Sequence, residues 1–340
     1  MDVTIKDVAK KAGVSIATVS FVINESKPTS DETRKKVLKA IKHLNYHPSR
    51  SARELVSKKT GNIGFILTDD HFLRTEPFYT RIFLGTEFEA RDGHYYILLT
   101  TVKSDFNELD PLPRFVLNKS VDGIIVAGKI PVNLIQKLSL LNLPLIFIDF
   151  VPLENNFPLV LIDNVQGAVL ATNHLIQLGH KRIAFIGADI EHPSLNERLI
   201  GYKQTLEKAA IPVDNNLIII DTFYPDRQNG YKSAQKLFEK NKDITAVFCC
   251  NDAMAIGVMR YLKDNGYKLP EEVSLIGFDD VETDLMLEPS LTTIRVPKIE
   301  LGAEALRLMV DFLKNKKSIP KKIIVPVELI VRESTAKISN

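Results

Sequence analysis

The stretch from Thr4 to Leu55 constrains the chain most. Thr4-Ile5-Lys6-Asp7-Val8-Ala9-Lys10-Lys11-Ala12-Gly13-Val14-Ser15-Ile16-Ala17-Thr18-Val19-Ser20 sets two amphipathic runs on either side of a glycine. Ile5, Val8, Ala9 and Ala12 recur at helical spacing, so one face packs while Lys6, Lys10 and Lys11 point to solvent or phosphate. Thr4 fits an N-cap, with Asp7 complementing the positive helix end. Gly13 permits a left-handed turn, and Ser15 suits the cap of the second helix. Val19, Val22 and Ile23 give that helix its packed face and leave Ile16, Ala17, Thr18, Ser20 and Phe21 directed elsewhere. A helix-turn-helix of this kind is a DNA-reading signature.

Charge separates the same stretch from the rest. Residues 1–60 hold 13 Lys+Arg against 6 Asp+Glu, and the other 280 hold 31 against 36. A chain of formal net charge +2 thus carries a basic head of +7 on an acidic body of −5. A hairpin whose lysines merely face water is the bland alternative, but this segregation is the footprint of phosphate binding. Ser30-Asp31-Glu32 opens a third helix continued by Val37, Ala40, Ile41 and Leu44, completing a head of residues 1–46 that is only marginally stable alone. Residues 47–60 have good helix formers after Pro48 but little apolar surface, which predicts a linker poorly ordered by itself.

From Asn62 the pattern changes to short β-rich runs alternating with helical ones. Strands are expected at 63–68, 95–100, 123–127, 145–149, 182–187, 246–250 and 274–278, with helices such as 79–91, 164–178, 196–210, 252–265 and 299–314. This is the rhythm of an α/β fold with parallel sheets covered on both faces. About 280 residues exceed what one such sheet needs, so residues 61–340 are expected to form two lobes. No signal-like or bilayer-length apolar run appears, which predicts a cytoplasmic protein without membrane association. Cys249 and Cys250, the only cysteines, fall on an expected buried strand as reduced thiols with no redox or metal role. The scattered histidines read as surface or capping residues. No phosphate-cradling glycine loop, nucleophile elbow or zinc-ligand pair is present, so neither catalytic residues nor a cofactor or metal are expected.

Open parallel sheets bind ligands beyond the carboxyl ends of their strands. Asp149, Asn251, Asp252, Asp279 and Asp280 follow such strands, and Arg198 lies near the start of a helix. Carboxylates, an amide and a guanidinium together suit a polyhydroxylated ligand. Acids after strands also cap the next helix, a role equally open to each and expected of Asp252 and Asp280. Phe78 and Tyr79 after the first strand, and Phe223 and Tyr224 before Pro225, would cover apolar sugar faces, with ordinary core packing the alternative.

The head string Thr4-Ile5-Lys6-Asp7-Val8-Ala9, with Ala12-Gly13-Val14-Ser15, Thr18-Val19-Ser20 and Val22-Ile23-Asn24, resembles the lactose-repressor (LacI/GalR) family of bacterial transcription regulators. Later motifs, among them Leu178-Gly179-His180-Lys181-Arg182-Ile183 and Leu291-Thr292-Thr293-Ile294, extend the likeness over nearly the whole chain. The resemblance implies a core like the periplasmic sugar-binding proteins, with lobe 1 at about 61–161 and 292–322 and lobe 2 at about 162–291 and 323–340. It implies DNA contacts from Thr4, Ser15, Ile16, Ala17, Thr18, Ser20, Phe21, Asn24 and Tyr46. It also implies a hinge helix at 47–60 whose Leu55 wedges into the minor groove near Ala52, with Arg50, Arg53, Lys58 and Lys59 attracting phosphate. Arg198, Asn251 and Asp279 match the family's effector-binding motifs, Asp149 more weakly. Glu76 stands where many relatives have asparagine.

The expected function is a transcription regulator, a repressor bound as a homodimer to a near-palindromic operator in double-stranded DNA and controlled by a small-molecule effector, most often a sugar. A sugar-binding receptor without DNA function is the alternative from the body alone, but it would need a secretion signal and no basic head. An enzyme on the same fold would need a nucleophile or cofactor motif that the chain does not contain.

Overall fold

The computed structural model describes residues 3–24, 27–46, 59–72, 77–153, 157–315 and 321–338. The chain divides into two compact units, Met1–Thr60 and Gly61–Asn340.

The first unit holds α1 (Ile5–Ala12), α2 (Ile16–Asn24) and α3 (Asp31–Leu44). Thr4 caps α1 in an unusual sense: its backbone N–H and its hydroxyl both donate to Asp7 Oδ2, at 2.8 and 2.7 Å. Gly13 ends α1 in the left-handed region at φ 66°. Ser15 Oγ then accepts from Thr18 N–H at 3.1 Å and opens α2. Val8, Val19 and Val37 are fully buried where the three helices meet, with Ala9, Val22, Ala40 and Tyr46 around them. Tyr46, assigned to DNA contact from the sequence, therefore lies in the head's core because the chain turns back there and its N–H bonds to Ile41 O.

The second unit begins with β1 (Asn62–Thr68), α4 (Asp69–Phe72), α5 (Phe78–Asp92) and β2 (Tyr96–Val102). α6 (Arg114–Leu117), β3 (Gly123–Ala127), α7 (Val132–Ser139), β4 (Leu145–Ile148) and β5 (Leu159–Ile162) follow. Next come α8 (Asn164–Gln177), β6 (Ile183–Ile186), α9 (Pro193–Lys208), β7 (Ile218–Ile219), α10 (Arg227–Lys240), β8 (Ala246–Cys249), α11 (Asp252–Asp264) and β9 (Ser274–Ile276). β10 (Thr293–Arg295), α12 (Lys298–Asn315), β11 (Lys322–Val325) and β12 (Glu328–Ile330) complete it.

These strands form a six-stranded sheet in the order β11-β5-β4-β3-β1-β2 and a four-stranded sheet in the order β7-β6-β8-β9. Every pairing inside both sheets is parallel. Helices on both faces explain why β1 and β3 are wholly buried and β1 is apolar from Ile63 to Leu67, where a one-sided sheet would alternate. β10 and β12 pair antiparallel and sit beside β9 through the bridges Ile276–Thr292 and Asp279–Arg295.

The chain crosses between the sheets after β5, between β10 and α12, and between β11 and β12. The first crossing follows Ile162, the last residue of β5. The second falls after Arg295, not at 292, because Thr292 and Arg295 still bridge to the β9 segment. The third falls after Val325, not 322, because all of β11 pairs with β5, from Lys322–Leu159 to Val325–Ile162.

Helices α5 and α12 pack backbone to backbone over the six-stranded sheet. A Cβ on Gly85 would meet the Ile299 carbonyl oxygen at 2.0 Å, and one on Gly302 would meet that of Ile82 at 2.0 Å. Neither helix can yield without leaving the sheet. Gly85→Val should therefore cost about 1–3 kcal/mol or more of folding free energy through overpacking, read as a lowered denaturation midpoint at unchanged m-value. A variant as stable as the parent would show that the two helices are not held at this distance.

Candidate functional site

A cavity of about 230 Å³ opens at the carboxyl ends of the strands of both sheets. Its walls bring together all eight residues singled out for a ligand from the sequence: Phe78, Tyr79, Asp149, Arg198, Phe223, Tyr224, Asn251 and Asp279. Asp70, His71, Ser104, Lys129, Asp189, His192 and Ser194 also line it and were not singled out. Asp70, Lys129 and Asp189 each follow a strand end, so the rule that found Asp149 reaches them too.

Arg198 occupies the floor. It stands on α9, which begins with Pro193 in its first turn, and only 3% of the residue is exposed. Its Nε donates to Asn164 Oδ1 at 3.0 Å and its Nη1 to the Cys250 carbonyl at 2.6 Å. The guanidinium carbon lies 3.7 Å from the centre of the Phe278 ring, and Nη1 is 3.5 Å from Asp279 Oδ1. A buried cation survives only with such partners.

Asn251 caps α11 by accepting from Met254 N–H at 2.9 Å and holds the aromatic loop by donating to the Pro225 carbonyl at 2.9 Å. The cap of α11 is thus Asn251 and not Asp252. Asp252 Oδ1 instead accepts from Thr293 Oγ1 at 2.6 Å. Asp280 caps no described helix either: it pairs with Arg295 at 2.6 Å and with Arg332 at 2.5 Å. Both acids serve the crossing strands, where arginines and a threonine face them.

Three cleft-side aspartates hold backbone conformations that L-residues rarely take: φ 55° at Asp149, 121° at Asp279 and 56° at Asp280. Such strain collects at functional sites. Asp149 accepts from Tyr79 Oη at 2.9 Å and from Ser194 Oγ at 2.8 Å, the latter joining the two sheets' sides of the cleft. The left-handed Gly128 makes room for this wall, since a Cβ there would meet the His71 ring at 2.6 Å and Tyr79 at 2.8 Å. His71 and Tyr79 stack with centroids 4.4 Å apart.

The aromatics divide by depth. Phe78 and Tyr79 are buried in the wall, whereas Phe223 is 60% and Tyr224 43% exposed at the mouth. There Tyr224 Oη donates to Asp70 at 3.2 Å, and Lys129 Nζ reaches Asp189 at 3.1 Å, each bond spanning from one sheet's loops to the other's. His71, His180 and His192 are buried, and His192 stands at the N-cap position of α9. His180 accounts for its own burial, bonding through its ring to Thr245, Ser274 and the Ala336 carbonyl and so pinning the C-terminal segment to the second sheet.

Behind the floor, Asp252 and Asp284 both accept from the Val281 N–H, at 3.2 and 3.0 Å. Burial raises both carboxyls, that of Asp284 up to about 10. Burial likewise pushes Asp279 up to about 7, against the opposing pull of Arg198 and with help from the charge on Asp252. Asp279 Oδ1 is buried and accepts no hydrogen bond, and Arg198 Nη1 faces it as an ion-pair partner. Lys298, at the start of α12, donates to the carbonyls of Asp279 and Asp280. Among the described residues, no group of three or more His, Cys, Asp or Glu is placed to hold a metal ion, and no helix is long and apolar enough to cross a membrane.

In the head, Ile16 and Ala17 are exposed at the start of α2, and Thr18, Ser20 and Phe21 are half-buried. Lys27 Nζ lies 4.9 Å from the Phe21 ring centre. Lys6, Lys10, Lys11, Arg34, Lys35, Lys39 and Lys42 are exposed. Arg50, Ala52, Arg53, Leu55 and Lys58, together with Glu76 and the side chain of Asn24, lie outside the described residues.

Comparison with known proteins follows the same division. Residues 4–49 match the family "Bacterial regulatory proteins, lacI family", and residues 172–335 match "Periplasmic binding protein-like domain". The chain is 34% identical over 338 residues to the HTH-type transcriptional repressor PurR of Mannheimia succiniciproducens, covering 99% of each chain. Among solved structures it is similar to a complex of the transcriptional regulator CelR with cellobiose (30% identity, TM-score 0.74, 98% of this chain and 99% of that one). It is also similar to the lac repressor dimer bound to operator and the anti-inducer ONPF (25% identity, TM-score 0.81, 99% and 100%).

The raised Asp279 carboxyl has a measurable consequence. Between its ordinary value of 3.8 and about 7 the folded state keeps a proton that the unfolded chain has lost, so stability falls as pH rises through that window and levels above it. The melting temperature of the parent relative to Asp279→Asn should decline from about pH 4 to about pH 7 and then stay flat. A difference independent of pH would contradict the burial-driven shift.

Proposed function

Because this chain belongs to the lacI family of bacterial regulatory proteins, we propose that it represses transcription as a homodimer on a near-palindromic operator and releases or tightens its grip when a sugar-sized effector fills the cleft. It is a DNA-binding regulator of transcription and not an enzyme. The observation that carries the effector reading is the convergence of Arg198, Asp279, Asn251 and Asp149 on one cavity at the strand ends of two parallel sheets. The cellobiose bound to the similar regulator and the operator bound to the similar dimer support the two halves of this reading. Operator DNA as the target implies action in the bacterial cytoplasm, at the nucleoid.

On the DNA side, residues 1–46 form the reading head and 47–60 the hinge, with Leu55 as wedge and Ala52, Arg50 and Lys58 beside it. Thr4, Ser15, Thr18, Ser20 and Asn24 serve as polar contacts of the head with the operator. The Ser15 and Thr18 hydroxyls bond each other at 2.9 Å, which holds them together at the start of α2. Ile16, Ala17 and Phe21 offer apolar surface that meets thymine methyls but makes no bidentate bond to guanine. Base choice therefore leans on methyl contact and DNA shape. Tyr46 supports the head from its core.

Two measurements test these halves. Melting shifts of the full-length protein against mono- and disaccharides, sugar phosphates, nucleosides and purines should give a hit, weakened about tenfold or more in both Arg198→Lys and Asp279→Asn. No hit in the panel, or a hit indifferent to both changes, removes the cleft from the account. Selection of half-sites from random DNA should change its consensus in the combined variant Ile16→Ala, Ala17→Gly, Phe21→Ala. An unchanged consensus would place base reading elsewhere.

A further inference from the structure

Two acids outside the cleft meet where water does not reach. Asp252, in the first turn of α11, and Asp284, in the short 3-10 turn Glu282–Met286, have no exposed surface. The Val281 N–H donates to Asp252 Oδ2 at 3.2 Å and to Asp284 Oδ2 at 3.0 Å. The two carboxyl groups are also in hydrogen-bond contact with each other. An ionised carboxylate only accepts, so a bond between two of them requires a proton. Neighbouring buried carboxylates do not both ionise. The surroundings decide which one keeps the proton. Asp252 Oδ1 accepts from Thr293 Oγ1 on β10 at 2.6 Å, so both its oxygens have donors, as an anion needs. Asp284 Oδ1 is buried and accepts no hydrogen bond, which suits the oxygen of an acid. Lys298 from α12 faces both groups, Arg332 just after β12 faces Asp284, and Asp279 lies near Asp252. Lys298 donates to the carbonyls of Asp279 and Asp280, and Arg332 to Asp280 and the Leu291 carbonyl, which leaves the acid pair to bond to itself.

We propose that Asp284 is held as the carboxylic acid and donates its proton to the Asp252 carboxylate, and that this bond latches the segment from Asp279 to Leu291 onto the start of α11. Burial, reinforced by the charge on Asp252, raises the Asp284 carboxyl to about 10, in keeping with that state. Asp284 grips the segment from inside: its N–H donates to the Val281 carbonyl at 3.0 Å and its carbonyl accepts from Leu291 N–H at 3.1 Å. Leu285 and Met286, 67% and 82% exposed, give the turn no core anchor of their own. The pocket around the pair is tight, since a Cβ on Gly277 would meet Asp252 Oδ1 at 2.1 Å. Asp284 does not line the cavity. It is a positioning residue, holding Asp279 and Asp280 at their positive φ through the clamped amide of Val281. This role does not depend on which ligand the cleft takes.

The test compares the full-length parent with Asp284→Asn, whose amide still donates to Asp252 and accepts from Val281. At about pH 8.5, where an ordinary carboxyl is ionised, the infrared difference spectrum should show the carbonyl stretch of one protonated carboxylic acid in the parent alone. Between its ordinary value of 3.8 and about 10 the folded parent keeps a proton that the unfolded chain has lost. Its melting temperature relative to Asp284→Asn should therefore keep falling from about pH 7 to about pH 9, a range in which the effect of Asp279 has levelled. No acid band, or a difference flat over that range, overturns the shared proton. Hydrogen exchange followed by mass spectrometry at neutral pH reads the latch. Exchange in residues 279–291 should quicken about tenfold or more in Asp284→Ala and stay near the parent's in Asp284→Asn, with α5 and α12 unchanged in both. Unchanged exchange in the alanine variant overturns the latch. If that variant does not fold, exchange in Asp284→Asn and the two pH-dependent comparisons still decide, because a segment loosened by the asparagine contradicts a bond that its amide preserves.

Discussion

One desolvated guanidinium organises the ligand-facing part of this molecule. Arg198 carries a full charge in a place with almost no water, and the cost of that burial is met only if several elements converge on it. Asn164 from the start of α8, the carbonyl of Cys250 at the end of β8, the Phe278 ring after β9 and Asp279 beyond it all do so. Each of these sits at a strand end or a helix start of the second sheet. The arginine thereby fixes the relative heights of α8, α9, β8 and β9, and it gives the floor of the cleft one geometry instead of many.

Behind that floor lies a layer of charge that ties the ligand cavity to the chain crossings. Asp252 and Asp284 share the Val281 amide, Asp280 binds Arg295 and Arg332 on β10 and just after β12, and Lys298 reaches back from α12 to the carbonyls of Asp279 and Asp280. Two of these aspartates are held at positive φ. A ligand that engages Asp279 thus acts on a strained segment whose neighbours are the strands and the helix passing between the two sheets. The bonds at the mouth, Lys129 to Asp189 and Tyr224 to Asp70, span the same two sides. Together they supply a physical means by which occupancy of the cavity biases one arrangement of the two sides.

Much of this was legible in the sequence because the signals were local. The capping residues and Gly13 marked the head, and continuous apolar runs marked β1, β3, β4 and β8. Polar residues at strand ends marked Asp149, Asn251 and Asp279, while Arg198 came from a helix start and Phe78, Tyr79, Phe223 and Tyr224 from their aromatic character. What stayed hidden depended on long-range pairing. β11 and β12 are short and partly exposed, and only their ladders with β5 and β10 reveal where the chain crosses. α10 was not anticipated because Arg227–Lys240 is largely polar and buries little beyond Ala234, Leu237 and Phe238. Asp252 and Asn251 are adjacent, and choosing which one caps α11 requires knowing that Thr293 waits for the other. The burial of Tyr46 and His180 likewise comes from partners far along the chain or from a turn that propensity does not specify.

The central claim is that the cleft and the DNA-reading head belong to one thermodynamic unit. The most direct measurement is a complete linkage cycle on the full-length protein: ligand affinity with and without saturating operator DNA, and operator affinity with and without saturating ligand, at one salt concentration. Coupled sites must give the same factor in both directions, and a factor of roughly 5 to 150 is the usual range for such coupling. Equal factors clearly different from one are the predicted result. A ligand that binds the cleft equally well with and without operator, leaving operator affinity unchanged, would contradict the account.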